Sequence, residues 1–126
     1  MLLDTNALIW FYLGSNRIGT KSLRRIENAP AIYFSPISIL EIEIKRMKSK
    51  MPVEPEFYTD LLKSNFIELK LSGLHAMGIS KYQDLVNHDP FDRILLAAAE
   101  SEGLPFMTAD SKLLATKLSF VVDATE

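Results

Sequence analysis

The sequence predicts an α/β fold, a three-layer α/β/α sandwich around a central, mainly parallel sheet of five strands. Three observations predict it. Short apolar runs (MLL, AIYF, FIEL, PFMT and FVV) recur along the chain, each bounded by turn or cap residues. Helix-start signals follow them, strongest at Ser35-Pro36 and Asp89-Pro90, where a capping side chain precedes a proline suited to the first turn. The chain has 126 residues, 48% hydrophobic and 24% charged, the size and composition of one domain, residues 1–126, able to bury a core without staples. Strands alternating with helices leave a mainly parallel sheet with helices on both faces.

Each element has a local reason. Met1 to Leu3 reads as a short buried strand, and Thr5 to Leu13, apolar nearly all round, as a buried or partner-facing helix ended by Gly14-Ser15-Asn16. Thr20 to Asn28 is amphipathic, with Leu23 and Ile26 on one face. Ala31 to Phe34 is the second strand. ISILEIEIK alternates like a strand, but the Ser35-Pro36 start and the continuation into KRMKSK favour a helix. Met51 to Pro55 reads as a loop, Glu56 to Lys63 as a helix and Phe66 to Leu69 as the third strand. Ser72 to Leu85 is expected to hold one serine-capped helix. Asp89 caps the clearest helix, with Pro90 in its first turn, Asp92 at the acidic position of a capping box and Gly103 as the stop. Residues 105 to 108 form the fourth strand, Asp110 caps a short helix, and Phe120 to Val122 form the fifth strand.

Composition narrows the function. There is no cysteine, which excludes disulfides and thiolate metal sites and is compatible with a reducing cytosol, so the expected location is cytoplasmic. The apolar start lacks a basic leader and is interrupted by Asp4, unlike a signal peptide. No stretch approaches the roughly 18 apolar residues of a membrane span. A net charge of −2 argues against a generally basic nucleic-acid binder. Two local basic runs, Lys21-Arg24-Arg25 and Lys45-Arg46-Lys48-Lys50, read either as solvated helix faces or as a phosphate track. The aromatic cluster Trp10-Phe11-Tyr12 reads as core with an interface as the alternative.

Four carboxylates fall where strands hand over to helices. Asp4 ends the first strand, Glu41 lies in the helix after the second, Asp92 opens the helix before the fourth, and Asp110 follows that strand. Each alone has a structural explanation: Asp4, Asp92 and Asp110 as caps, Glu41 as the partner of Lys45. Together they converge on the carboxyl edge of the sheet, where open α/β folds bind ligands. Ser38, Glu41 and Lys45 share one side of their helix, and Glu41 borders the apolar arc of Ile37, Leu40 and Ile44. A carboxylate so close to the core needs a partner. Several carboxylates and no sulfur ligands suit Mg²⁺ or Mn²⁺ rather than zinc. Such a centre activates water against a phosphodiester. Thr5, Asn6, Ser38 and Thr108 stand beside the acids and are candidates to orient them.

LLDTNALIW, SPISILEI, HDPFDRILLAAA and MTADSKL, in that order from Leu2 to about Val122, resemble the four motifs of PIN-domain nucleases, and most of all those of VapC-type toxins. The resemblance implies a PIN-like fold and divalent-metal-dependent cleavage of RNA. It makes Asp4, Glu41, Asp92 and Asp110 the acidic quartet, with Arg93 and Lys45 as weaker candidates for substrate contact. It also implies a homodimer and a cognate antitoxin. Relatives often carry histidine where Asn87 stands; here His88 is its neighbour.

Other readings remain open on the sequence. The family also suits an RNA-processing nuclease with no toxin role. A receiver-like phospho-acceptor domain shares the length and the strand-end acids, though Thr5 follows Asp4 where a second acid is usual. His75 and His88 raise metal-free acid–base cleavage, with no orienting group evident around either. No Walker loop, GxSxG or GxGxxG is present.

Overall fold

The computed structural model describes residues 1–126. Leu2 and Leu3 are fully buried because the strand they form, β1 (Leu2–Leu3), lies at the centre of the sheet. On one side it pairs with β2 (Tyr33–Phe34), and beyond that lies β3 (Ile67–Glu68). On the other it pairs with β4 (Phe106–Thr108), followed by β5 (Val121–Asp123). All four pairings are parallel, in the order β3-β2-β1-β4-β5. The expected five-stranded parallel sheet is therefore present. A receiver-like sheet has the order 2-1-3-4-5, so this topology removes that reading.

Strand periodicity sends neighbouring side chains to opposite faces. Leu3, Phe34 and Met107 join one apolar cluster, while Leu2 and Phe106 join a second. Helices cover both. Ala7 and Leu8 of α1 (Thr5–Tyr12), Ile26 of α2 (Thr20–Asn28), Ile42 of α3 (Pro36–Met47) and Leu61 of α4 (Phe57–Lys63) complete the first. Leu95, Leu96 and Ala99 of α6 (Pro90–Ser101) and Leu113 of α7 (Ser111–Ala115) complete the second. These are the three layers of the expected sandwich. The ISILEIEIK segment is helical throughout. No helix is long and apolar enough to cross a membrane.

The segment after Ser72 departs from expectation. Instead of one helix to Leu85, a short α5 (Gly73–Gly78) gives way to two single 3₁₀ turns, Ile79–Lys81 and Gln83–Leu85. Leu74 and Met77 are each 74% exposed, so no buried stripe sustains a longer helix. The fifth strand lies one residue later than expected, at Val121–Asp123.

The aromatic cluster packs against the core with all three rings partly buried. Phe11 packs on Phe66 with centroids 5.8 Å apart. Tyr12 sits edge-on to Phe57 at 4.6 Å and donates its hydroxyl to Asp60 at 2.7 Å. Trp10 is only half-buried, with the Arg17 guanidinium 5.4 Å from its ring centroid.

Candidate metal centre at the sheet switch point

After β1 the chain builds outward through β2 and β3, then returns to lay β4 on the other side of β1. A crevice opens at such a reversal, beyond the carboxyl ends of the two diverging strands. Asp4 and Asp110 follow those two strands.

Asp4 has two attachments. Oδ1 accepts the Ala7 N–H at 2.8 Å, capping α1, and Oδ2 accepts the Thr108 hydroxyl at 2.5 Å. The residue is only 4% exposed. Burial pushes its carboxyl up to about 6; the Thr108 and Ala7 hydrogen bonds oppose that rise, and the charges of Asp92 and Glu41 add to it. The Thr108 oxygen also accepts the Asp110 N–H at 3.0 Å, so one hydroxyl ties both strand-end acids together. Asp110 caps α7 through Oδ1, which accepts from Lys112 and Leu113 at 2.9 and 3.0 Å. Its other oxygen points to His88 Nε2, 3.5 Å away.

Glu41 reaches the same edge from α3. Thr5 donates its hydroxyl to Glu41 Oε1 at 2.7 Å, and the buried Ser38 hydroxyl lies 2.9 Å from the same Thr5 oxygen. Glu41 is half-buried; burial raises its pKa, Asp92 and Asp89 raise it further, and Thr5 and Lys45 oppose them. The expected apolar arc beside it is not intact. Leu40 is 46% exposed, whereas Ser38 and Ile42, one turn apart, are the buried positions. Alternating isoleucines put apolar residues all round this helix, so its wheel did not identify the packed side. Nor does Glu41 form the expected pair with Lys45, which makes none of the molecule's ion pairs and acts on Glu41 through its field.

Asp92 sits in the first turn of α6, but Asp89 alone supplies the side-chain cap, accepting from Phe91 N–H at 2.8 Å. Asp92 turns instead to His88, whose Nε2 lies 3.0 Å from Oδ2. An ionised carboxylate requires that nitrogen to carry the proton. Burial raises the Asp92 pKa; Asp89 and Asp110 add to the rise and His88 opposes it. Ligand-type atoms of His88, Asp92 and Asp110 all lie within 4.8 Å of one another. Sequence reasoning underrated His88. The four-residue spacing to Asp92 was a usable signal, whereas its approach to Asp110 depends on the tertiary fold.

The four expected acids thus meet at one edge, with Thr5 bonded to Glu41, Thr108 to Asp4, and Ser38 reaching the group only through the Thr5 hydroxyl. Asn6 is exposed at the rim. Arg93 shows no partner for its buried Nε and no place in the acid network. The basic runs are divided: Lys21 and Arg25 pair with Glu126, and Arg46 with Glu43 and the carbonyls of Val53 and Glu54. Burial and mutual repulsion raise three carboxylates together, a conflict that a hard divalent cation relieves. The donor set, oxygens with one imidazole beside them, fits Mg²⁺ or Mn²⁺.

The PIN domain model matches residues 1–117. Comparison with curated proteins gives no significant match. Among solved structures, the chain resembles one in a toxin–antitoxin complex from Klebsiella pneumoniae, with a TM-score of 0.65 and 23% identity over 96% of this chain and 94% of that one. It also resembles one in VapBC2 from Rickettsia felis bound to a promoter DNA fragment, with a TM-score of 0.64 and 13% identity over 97% and 95% of the two chains. At these identities the two neighbours show the fold.

Proposed function

We propose, because this chain belongs to the PIN domain family of nucleases, that it is a Mg²⁺- or Mn²⁺-dependent endoribonuclease and the toxin of a toxin–antitoxin pair. The observation that carries the nuclease reading is the crowding of Asp4, Glu41 and Asp92, all raised in pKa, at the sheet's switch point. Asp4, Asp92 and Asp110 would hold the metal, with Glu41 completing the site. When bound, the ion supplies an activated water and a counter-charge for the developing phosphate charge. Glu41, anchored by Thr5, is placed to orient the attacking water or take its proton. Thr108 fixes Asp4 against Asp110, and His88 positions Asp92.

The toxin reading is supported by neighbours that are parts of toxin–antitoxin complexes. It carries with it a cognate antitoxin and a homodimer. RNA cleavage should stop in EDTA and return with Mg²⁺ or Mn²⁺. Cleavage that survives chelation rejects the metal mechanism. Expression of the chain should arrest growth, and a small DNA-binding protein encoded beside it should lift the arrest. Robust RNA cleavage without growth arrest would instead favour an RNA-processing role.

A further inference from the structure

A cleft of about 330 Å³ opens between α1 and the end of α3, beside the acids but outside their network. Asn6, Trp10, Arg17, Lys45 and Lys50 line it over an apolar floor that includes Ile9, and no acid lines it. Its three cations take part in none of the molecule's ion pairs, although the chain's net charge is −2. The cleft continues from the metal centre. Asn6 follows Thr5, which holds Glu41. Lys45 lies one turn beyond Glu41, about 6 Å along the helix. Arg17 and the half-buried Trp10 form a cation–aromatic pair at 5.4 Å.

Unpaired cations beside an aromatic ring form the surface that single-stranded nucleic acid engages: cations follow the backbone, and bases stack on aromatic rings or guanidinium planes. We propose that this cleft is the subsite for single-stranded RNA flanking the scissile phosphate. Lys45 and Lys50 contact successive phosphates, and a base stacks on the Trp10–Arg17 platform. The assignment rests on the nuclease reading and adds to it the path of the substrate strand. Charge favours RNA as occupant, because the cleft presents only positive groups.

Trp10 is the only tryptophan, so its fluorescence reports on this cleft alone. Titration with a single-stranded oligoribonucleotide in EDTA should quench it saturably. The double variant Lys45→Glu/Lys50→Glu, folded by circular dichroism, should bind at least 10-fold more weakly. The slope of log affinity against log salt should flatten by about 1.4, the value for two lost phosphate contacts on a single strand. With metal present, the cleavage defect should appear in KM rather than kcat. Unchanged tryptophan fluorescence while RNA is cut overturns the subsite, as does a double variant with wild-type affinity and KM. A double variant that keeps its RNA affinity but loses a protein partner assigns the cleft to protein docking and also overturns it. A wild-type chain that neither binds nor cuts RNA with metal present overturns the nuclease reading and the subsite together.

Discussion

His75 and His88 each meet a carboxylate through Nε2, at 2.8 and 3.0 Å, yet the two pairs have different consequences. His75 is 2% exposed and uses both ring nitrogens: Nδ1 accepts the Ser72 N–H, and Nε2 meets Glu102. It closes a capping box on α5, and Glu102 is 47% exposed to solvent. His88 faces two carboxylates, Asp92 in α6 and Asp110 at the cap of α7, within a group where burial, and then neighbouring acids, raise the pKa values of Asp4, Glu41 and Asp92. The first arrangement is a fastener whose groups satisfy one another. The second crowds like charges whose conflict a bound proton or cation relieves. Residue type is shared; the number of like charges converging on the pair separates them.

That contrast is open to direct attack. The largest effect is expected at Asp4. Asp4→Asn keeps an acceptor for Ala7 but removes charge, and RNA cleavage should fall by more than about 100-fold, the upper range for losing a supporting residue alone. The same variant should be more stable than wild type in EDTA at pH 7.5, by on the order of 2–3 kcal/mol, since a one-unit shift is worth about 1.4 kcal/mol. A variant that is both inactive and destabilised would mean that Asp4 serves chiefly as a cap.

His88→Ala should come next. It frees Asp92 from its positioning partner, and calorimetry should show metal affinity falling by about 10-fold. Unchanged affinity would place His88 with His75 as a fastener.

The pH response of the metal-free protein is a third test. Folded Asp4 titrates near 6 against an ordinary value of 3.8. Between those values the folded state binds more protons than the unfolded state, so stability falls as pH rises through that window. Glu41 and Asp92, also raised, add in the same direction. Thermal melts in EDTA should therefore show stability increasing from pH 7.5 to 5 by on the order of 2 kcal/mol. Saturating Mn²⁺ should flatten the slope at the neutral end, where the ion keeps the acids charged. A melt that is flat in EDTA would remove the electrostatic conflict from the site.

The smallest effect is expected at the other histidine. His75→Ala should cost about 1–2 kcal/mol in urea unfolding, typical of a lost buried hydrogen-bonded group. Cleavage per folded molecule should not change. A cleavage defect there would erase the distinction between the two pairs.

Much of this molecule was legible in its sequence, because the signals involved are local. A cap, a proline in the first turn and a run of apolar residues act within one turn of helix or a few residues of strand. Hence Asp4, Ser35, Asp89 and Asp110 were found as helix starts, and each accepts a backbone N–H of its own helix. The strand-end positions of Asp4 and Asp110 were equally local. Other features depended on partners distant in the chain. Leu40 looked like core and is exposed, while Ser38, placed beside the acids, is fully buried, because the packing of α1 on α3, not the wheel, chose the inward side. Ser72 to Leu85 looked like one helix and broke after Gly78: Leu74 and Met77 face solvent, while Leu85 turns into the core beyond the break.

The sequence by itself determined the strands and helices, their alternation, and the acids after β1 and β4 and within α3 and α6. The tertiary structure alone decided that Thr108 would bond an aspartate 104 residues away. It also decided that His88 would stand between two acids, and that Lys45 and Lys50 would share a cleft with Arg17 and Trp10. The physical reason is range. Propensity and capping act between chain neighbours, whereas burial and repulsion act on whatever the sheet order brings together.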